Sequence, residues 1–147
     1  MIEKEKHLSD TLNEIVLNFE DDIKKYLKSF DMNDMLSINS NDEIRKKHLR
    51  NYNKFSVSLK KRIESFEVTV SMLSSLICEA DNTCDKELTK KLINKFDNYS
   101  VFFVSVKKFI NNCETVFLDK DSLFRPSIVM GYTRELLSAT ENYKNSL

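Results

Sequence analysis

The sequence predicts an all-α protein, an antiparallel up-down-up-down four-helix bundle with long second and third helices. The chain has 147 residues but only one glycine and one proline, so it has few of the residues that make tight turns. Apolar residues recur at steps of three and four in four segments, the spacing of one helical face. Short connections favour antiparallel neighbours, and this length suits a single domain over 1–147.

The first two predicted helices are separated by a polar connection. The first has its apolar face from Leu8 to Phe30. The segment DMNDMLSINSND that follows is rich in Asp, Asn and Ser, which bond nearby backbone groups and favour turns. Ser40 and Glu43 have the spacing of a capping box, so the second helix is expected to begin there.

The second predicted helix carries the longest apolar pattern, from Ile44 to Ala80. If it is unbroken, it is about 57 Å long at about 1.5 Å per residue. Helices of this length are uncommon in compact domains. A kink near Ser56 to Ser58 is therefore an alternative to a continuous helix.

The third predicted helix follows a turn at DNTCD, residues 81–85, and has its apolar face from Leu88 to Phe117. Its run VFFVSV at 101–106 is apolar nearly all round, which predicts the most enclosed part of the fold. A further turn contains Leu118, Leu123 and Phe124, which are expected to cap the bundle end or to meet a partner.

The only proline and glycine fall in the fourth predicted helix. Pro126 suits a first helical turn, because its fixed φ is helical and its missing N–H has no helical partner there. Small residues share a face next to the apolar stripe: Ser127, Gly131 and Ser138. We interpret them as a site of close backbone packing, with a partner groove or a tolerated glycine as alternatives.

Composition argues against several classes of protein. Lys plus Arg equals Asp plus Glu, so no whole-molecule attraction to nucleic acid or acidic membrane follows. The charged N-terminus and the short apolar stretches predict a cytoplasmic protein without a membrane partner. Three cysteines without a CxxC motif, and two histidines, argue against disulfides and zinc. No catalytic residue, metal ligand or cofactor-binding motif is predicted, and glycine-rich phosphate loops are missing from the sequence.

Residues 45–62, RKKHLRNYNKFSVSLKKR, contain eight Lys or Arg and no acid. The candidate residues for binding a partner or nucleic acid are Arg45, Lys47, Arg50, Lys54 and Lys61. Such a ridge can follow phosphates, and Tyr52 or Phe55 can stack on bases if they are exposed.

A structural interpretation of the ridge competes with the binding of a partner or of nucleic acid. Residues 8–22 of the first helix carry five acids and no Lys or Arg. An antiparallel hairpin is expected to set them beside residues 50–64. In this interpretation the ridge is a charge face that is either paired internally with these acids or simply solvated. His48 falls on the apolar stripe, which favours a hydrogen-bonded core or boundary histidine over a catalytic one.

We therefore expect a non-enzymatic bundle that binds another protein through its second and third helices. An adaptor, an immunity-type inhibitor or a secretion-associated accessory protein has these features. The fourth helix is too short to cover the long helix pair, which favours coiled-coil-like pairing with a second copy, as in a homodimer. Nucleic-acid binding by the basic ridge is the alternative, and an enzyme site built from scattered polar residues is a third hypothesis.

Overall fold

Four long helices and one short helix form the computed structural model, which describes residues 2–36, 42–119 and 124–147. In chain order they are α1 (Ile2–Lys28), α2 (Met32–Leu36), α3 (Asp42–Asn82), α4 (Lys86–Leu118) and α5 (Pro126–Ser146). Each long helix packs against two others, in the cyclic order α1, α3, α4, α5. The described residues contain no strand, and the predicted all-α bundle is confirmed.

Contacts between the helices fix their directions. Arg62 Nε of α3 lies 3.0 Å from Asp22 Oδ2 near the end of α1. Lys4 Nζ at the start of α1 lies 3.5 Å from Glu79 Oε2 near the end of α3. These two contacts run in opposite senses along the two helices, so α1 and α3 are antiparallel.

The connection before α3 is not the plain turn that its composition predicts. Residues Met32–Leu36 form the short helix α2, and Asn33 N donates to Asp31 Oδ1 at 2.9 Å at its start. Glu43 lies in the first turn of α3, whereas its predicted capping partner Ser40 is outside the described residues. α3 continues through Ser56 to Ser58 as one α-helix of 41 residues, about 61 Å at about 1.5 Å per residue.

The turn between α3 and α4 contains a left-handed residue. Cys84 has φ 59°, and Asp85 N donates to Ala80 O at 3.1 Å. Cys84 N donates to Asp81 O at 3.0 Å, which completes a Schellman motif. Asp85 then caps α4 by accepting a hydrogen bond from Leu88 N at 3.2 Å.

Aromatic rings from all four long helices meet at the centre of the bundle. The ring of Phe66 lies 6.1 Å from Phe19, 5.5 Å from Phe102 and 6.3 Å from Tyr143, measured between centroids. The prediction that the middle of residues 101–106 is the most enclosed part of the fold is wrong, because Val104 is exposed, as is Val101 at the start of the run. A helix with two neighbours turns one side to solvent even where its sequence is apolar.

The bundle changes from four helices to three along its length. Near the end of α5, Lys144 Nζ lies 2.7 Å from Glu20 Oε2 of α1. From that level towards the starts of α1 and α4, these two helices approach each other, and Lys91 Nζ lies 2.6 Å from Glu5 Oε1. We call residues 2–16, 68–82 and 86–97 the three-helix section and the remainder of the bundle the four-helix section.

Candidate functional site

The outer face of α3 carries cations that the described chain does not pair. Arg50, Lys54 and Lys61 are exposed, and none of them forms an ion pair with a described residue. Together with Val57 they occupy positions i, i+4, i+7 and i+11, which fall within an arc of about 60° at 3.6 residues per turn. We call these four residues the basic strip, which is about 17 Å long at about 1.5 Å per residue.

The other two predicted cations of the ridge are engaged within the chain. The guanidinium of Arg45 lies over the ring of Phe124, 5.7 Å from its centroid. Lys47 Nζ lies 2.9 Å from Asp34 Oδ2 and 3.6 Å from Asp31 Oδ2. These carboxylates, Asp34 first, raise the pKa of Lys47. The structure therefore brings three of the five predicted residues together on one free surface.

The predicted pairing of the ridge with α1 is mostly wrong, because the register between the helices differs. Asp22 lies opposite Arg62, so the acids that precede Asp22 lie beside α3 residues beyond 62. Arg50 and Lys54 lie beside the last turns of α1 and the connection that follows it. The connection causes this shift, since Asp34 of α2 contacts the first turns of α3 instead of allowing a tight reversal. Arg62–Asp22 is the one ion pair between residues 50–64 and the α1 acids among the described residues.

The aromatic residues of the ridge face the core. Tyr52 is 6% and Phe55 5% exposed, and their rings stack on Phe117 at 5.1 Å and Tyr26 at 4.6 Å. The condition for stacking on bases, which is exposure of these rings, is therefore not met. Val57 is instead 66% exposed at the centre of the basic strip. Sequence reasoning missed it, although its place two residues after Phe55 puts it off the inward face.

His48 lies in the core near the start of α3, as predicted for a hydrogen-bonded core or boundary histidine. It is 2% exposed, and its Nε2 lies 2.9 Å from Asp34 Oδ2. The rings of Phe30 and Phe124 each lie 5.5 Å from the imidazole. Hydrogen bonds from Lys47, and then from His48, lower the pKa of Asp34.

The apolar residues predicted near the last turn have different positions. Phe124 is buried and caps the bundle end, whereas Leu118 is exposed. Leu123 lies outside the described residues.

The small residues of α5 lie on its outer side. A Cβ atom built on Gly131 meets no other atom within 4 Å. Ser127 and Ser138 are exposed. The close-packing interpretation is therefore wrong for contacts within this chain, and a partner groove stays a prediction.

Two clefts lie between α1 and α3. One of about 260 Å³ adjoins the basic strip and is lined in part by Lys54, Phe55 and Ser58. The other, of about 440 Å³, lies in the three-helix section and is floored by Leu8 and Leu76. The first cleft extends the basic strip towards α1.

The three cysteines are free thiols in two environments. Cys78 and Cys84 are exposed, and Cys113 is buried. Burial, with a smaller effect of Glu114, raises the pKa of Cys113 to about 12. A thiol with that pKa is protonated at neutral pH, so Cys113 packs as a small apolar side chain.

Among the described residues, no group of three or more His, Cys, Asp or Glu side chains is arranged to hold a metal ion. None of the helices in the same part of the chain is long and apolar enough to span a membrane. Comparison of the chain with protein-family models, with curated proteins and with solved structures finds no match.

Proposed function

We propose that this chain is a non-enzymatic helical bundle that binds another protein, and that the basic strip contacts an acidic face of that protein. The observation that carries this proposal is Val57, which is 66% exposed among unpaired cations. Arg50, Lys54 and Lys61 supply charge complementarity to an acidic surface. An interface needs an apolar centre inside a polar rim, and Val57 has that position in the strip.

Val57 also distinguishes a protein from a nucleic acid as the partner. Phosphate groups gain nothing from contact with a valine, whereas covering a valine with apolar side chains contributes about 1.5–3 kcal/mol when burial is complete. Stacking on bases needs exposed aromatic rings, and Tyr52 and Phe55 are turned inward. The strip therefore suits a protein surface better than a phosphate backbone.

The buried polar groups support the non-enzymatic part of the proposal. Thr133 Oγ1 and Thr140 Oγ1 donate to carbonyl oxygens of their own helix at 2.8 and 2.7 Å. His48 is bonded to Asp34, and Glu20 lies between two lysines. Each of these side chains contacts a structural partner, whereas the buried hydroxyl groups of Tyr26 and Tyr143 have no hydrogen-bond partner among the described residues.

Affinity capture with strip variants tests the proposal. The triple variant Arg50→Glu, Lys54→Glu, Lys61→Glu reverses the charge of the strip. A matched control makes the same change on exposed, unpaired cations elsewhere: Lys90→Glu, Lys108→Glu, Arg134→Glu. We expect an acidic protein retained by the wild type and the control, and lost with the strip variant. Capture that strip reversal leaves unchanged would contradict the proposal.

Nucleic-acid binding is the second candidate, because Lys46 and Lys60 flank the strip and are also exposed. Val57→Ser separates the candidates, since it leaves every cation in place. We expect this variant to weaken capture of the protein partner. Salt-sensitive binding of RNA or DNA at about micromolar protein that needs the cations but not Val57 would replace the first proposal with the second.

A further inference from the structure

The outer face of α1 carries a second charged strip, of opposite sign. Its members are exposed, and its acids form no ion pair with any described residue. We call this second strip the acidic strip, and its members are Asp10, Glu14, Leu17 and Asp21. Leu17 is 51% exposed, and no Lys or Arg lies between residues 7 and 23. An acidic face with an uncovered leucine at its centre resembles the kind of surface that the basic strip needs.

The two strips have the same spacing. In each, three charges and one aliphatic residue occupy positions i, i+4, i+7 and i+11, and the aliphatic residue is the third. Both strips are therefore about 17 Å long and fall within the same narrow arc of a helix. Acid corresponds to base at every charged position, and Leu17 corresponds to Val57.

We infer that the acidic strip of one copy docks on the basic strip of a second copy of this chain. The inference rests on the proposed function of the basic strip and names its partner. With the two helices parallel, the three acids face the three bases in order, around a contact between Leu17 and Val57. With the helices antiparallel, Glu14 faces Val57 and Lys54 faces Leu17, which leaves a charge against each apolar side chain. The parallel arrangement is therefore the better match.

One chain cannot join its own two strips. Asp22 of α1 lies at the level of Arg62 of α3, and Lys4 lies at the level of Glu79. The acidic strip is therefore level with α3 residues beyond 62, whereas the basic strip ends at Lys61. The charges of both strips remain open to a second copy.

The contact joins two different surfaces, so two copies can make it once, which leaves one basic and one acidic strip uncovered, or twice, which covers all four strips. Contacts made once per pair produce rings or open chains, and contacts made twice produce a closed twofold dimer. Because α1 and α3 are antiparallel within a chain, a twofold axis across the helices sets α1 of each copy parallel to α3 of the other, as the match between the strips requires. A single pair of helical strips is small beside a stable interface, so we expect dissociation constants of about 10 μM to 1 mM. The attraction between exposed charges falls as the screening length shortens from about 30 Å at 0.01 M salt to about 3 Å at 1 M.

Variants with the charges of one or both strips reversed test the inference, with the mass of the particles measured by sedimentation or light scattering. We expect the mass of the wild type at low salt to rise with concentration above that of the monomer, and to return to the monomer at about 1 M salt. Reversal of the basic strip alone, as above, and reversal of the acidic strip alone should each give monomers. The second variant is Asp10→Lys, Glu14→Lys, Asp21→Lys.

Rescue separates docking from a general effect of charge. An equimolar mixture of the two variants pairs acid with base again, and so does one chain that carries both reversals. Both samples should recover the concentration-dependent mass, and the control variant with changes on α4 and α5 should behave as the wild type. A fold check by circular dichroism accompanies each variant.

The outcomes that overturn the inference are distinct from those that overturn the proposed function. A wild type that stays monomeric at about 1 mM and low salt overturns self-docking. Self-association that survives reversal of either strip, or that neither rescue restores, also overturns it. If the wild type is monomeric but captures an acidic partner through the basic strip, only this inference fails. If the wild type self-associates through the strips, but reversal of the basic strip does not change the capture of another protein, only the proposal of a different partner protein fails.

Discussion

At the scale of single residues, Cys84 holds a backbone conformation that its side chain disfavours. Its φ of 59° lies in the left-handed region, where a residue with a Cβ atom is strained by about 1–2 kcal/mol. Glycine removes that strain but loses more conformational entropy on folding. The Schellman hydrogen bonds at this turn come from the backbone and do not need the thiol.

We predict that Cys84→Gly raises the free energy of unfolding by about 0.5–1 kcal/mol, measured by urea titration. The matched control is Cys78→Gly, the same substitution inside α3. It should lower the free energy of unfolding by about 0.3–0.5 kcal/mol, because glycine is a poorer helix former than cysteine. Destabilisation by both substitutions would contradict the role given to φ at Cys84.

Glu20 is a buried carboxylate held by cations on two helices. Lys24 Nζ lies 2.9 Å from Oε1, and Lys144 Nζ of α5 lies 2.7 Å from Oε2. The close contact of Lys144, followed by the hydrogen bond from Lys24, lowers the pKa of Glu20 below its ordinary value of 4.5. The ionised form therefore stabilises the folded state at any pH above 4.5, and this stabilisation is lost as the pH falls through the lower folded-state pKa.

We predict that Glu20→Gln lowers the free energy of unfolding by about 1–2 kcal/mol at pH 7, because a neutral amide bonds the two lysines less strongly. The difference from the wild type should shrink as the pH falls from 4.5 through the lower folded-state pKa, since the wild-type carboxyl group then also becomes neutral. Urea titrations at pH 7 and at about pH 3 measure it. Glu135→Gln, at an exposed and unpaired position of α5, is the control and should change little at either pH. An effect of Glu20→Gln that is equal at both pH values would contradict the ionic explanation.

At the scale of elements, the short helix α2 is attached to α3 by one carboxylate. Asp34 Oδ2 lies 2.9 Å from both Lys47 Nζ and His48 Nε2. His48 is 2% exposed, so no solvent replaces a lost partner. A helix of five residues is too short to be stable alone, so its position depends on this contact with α3 and on its packing against α5.

We therefore expect Asp34→Ala to lower the free energy of unfolding by about 1–3 kcal/mol, because His48 is left buried without its acceptor. Hydrogen exchange of α2 should become faster in the same variant. Asn33→Ala, at an exposed position of the same helix, is the control and should have a much smaller effect. Equal effects of the two substitutions would show that Asp34 has no special role.

The period of the apolar residues was enough to predict the four long helices, because each has several turns with one inward face. It could not predict α2, since five residues of MNDML show no period. Nor could it predict the register of α1 on α3, which depends on how the intervening connection packs. That register decides which cations remain free. The sequence therefore predicted a basic ridge that contains Arg50, Lys54 and Lys61. Only the structure shows that Lys47 pairs with Asp34 and does not share the free surface.

At the scale of the whole molecule, unequal helix lengths give two sections with different cores. In the four-helix section the centre is aromatic, and Tyr143 of α5 stacks on Phe102 at 4.7 Å between centroids. In the three-helix section α5 is missing from the packing, and the core is aliphatic, with Leu8, Leu73 and Leu92. The ion pair of Lys91 with Glu5 and the hydrogen bond from Lys95 to Ser9 join α1 to α4 there.

This difference predicts unequal local stability. Regions with fewer buried apolar contacts open at a lower free energy than the global unfolding reaction. Backbone amides of residues 70–80 and 88–96 should therefore exchange hydrogen faster than those of residues 50–66 and 102–117. Hydrogen-exchange mass spectrometry, corrected for the intrinsic rate of each peptide, measures this difference.

Substitution of one buried leucine in each section separates local opening from global unfolding. Leu92 and Leu136 are both almost fully buried, and truncation of either to alanine costs about 2–5 kcal/mol. Leu92→Ala should accelerate exchange chiefly within the three-helix section, because that section can open while the aromatic centre stays packed. Leu136→Ala, in α5, should accelerate exchange in both sections, because loss of the four-helix core leaves the three-helix section without support. Acceleration spread evenly over all helices by Leu92→Ala would mean that the bundle unfolds as one cooperative unit despite its unequal ends.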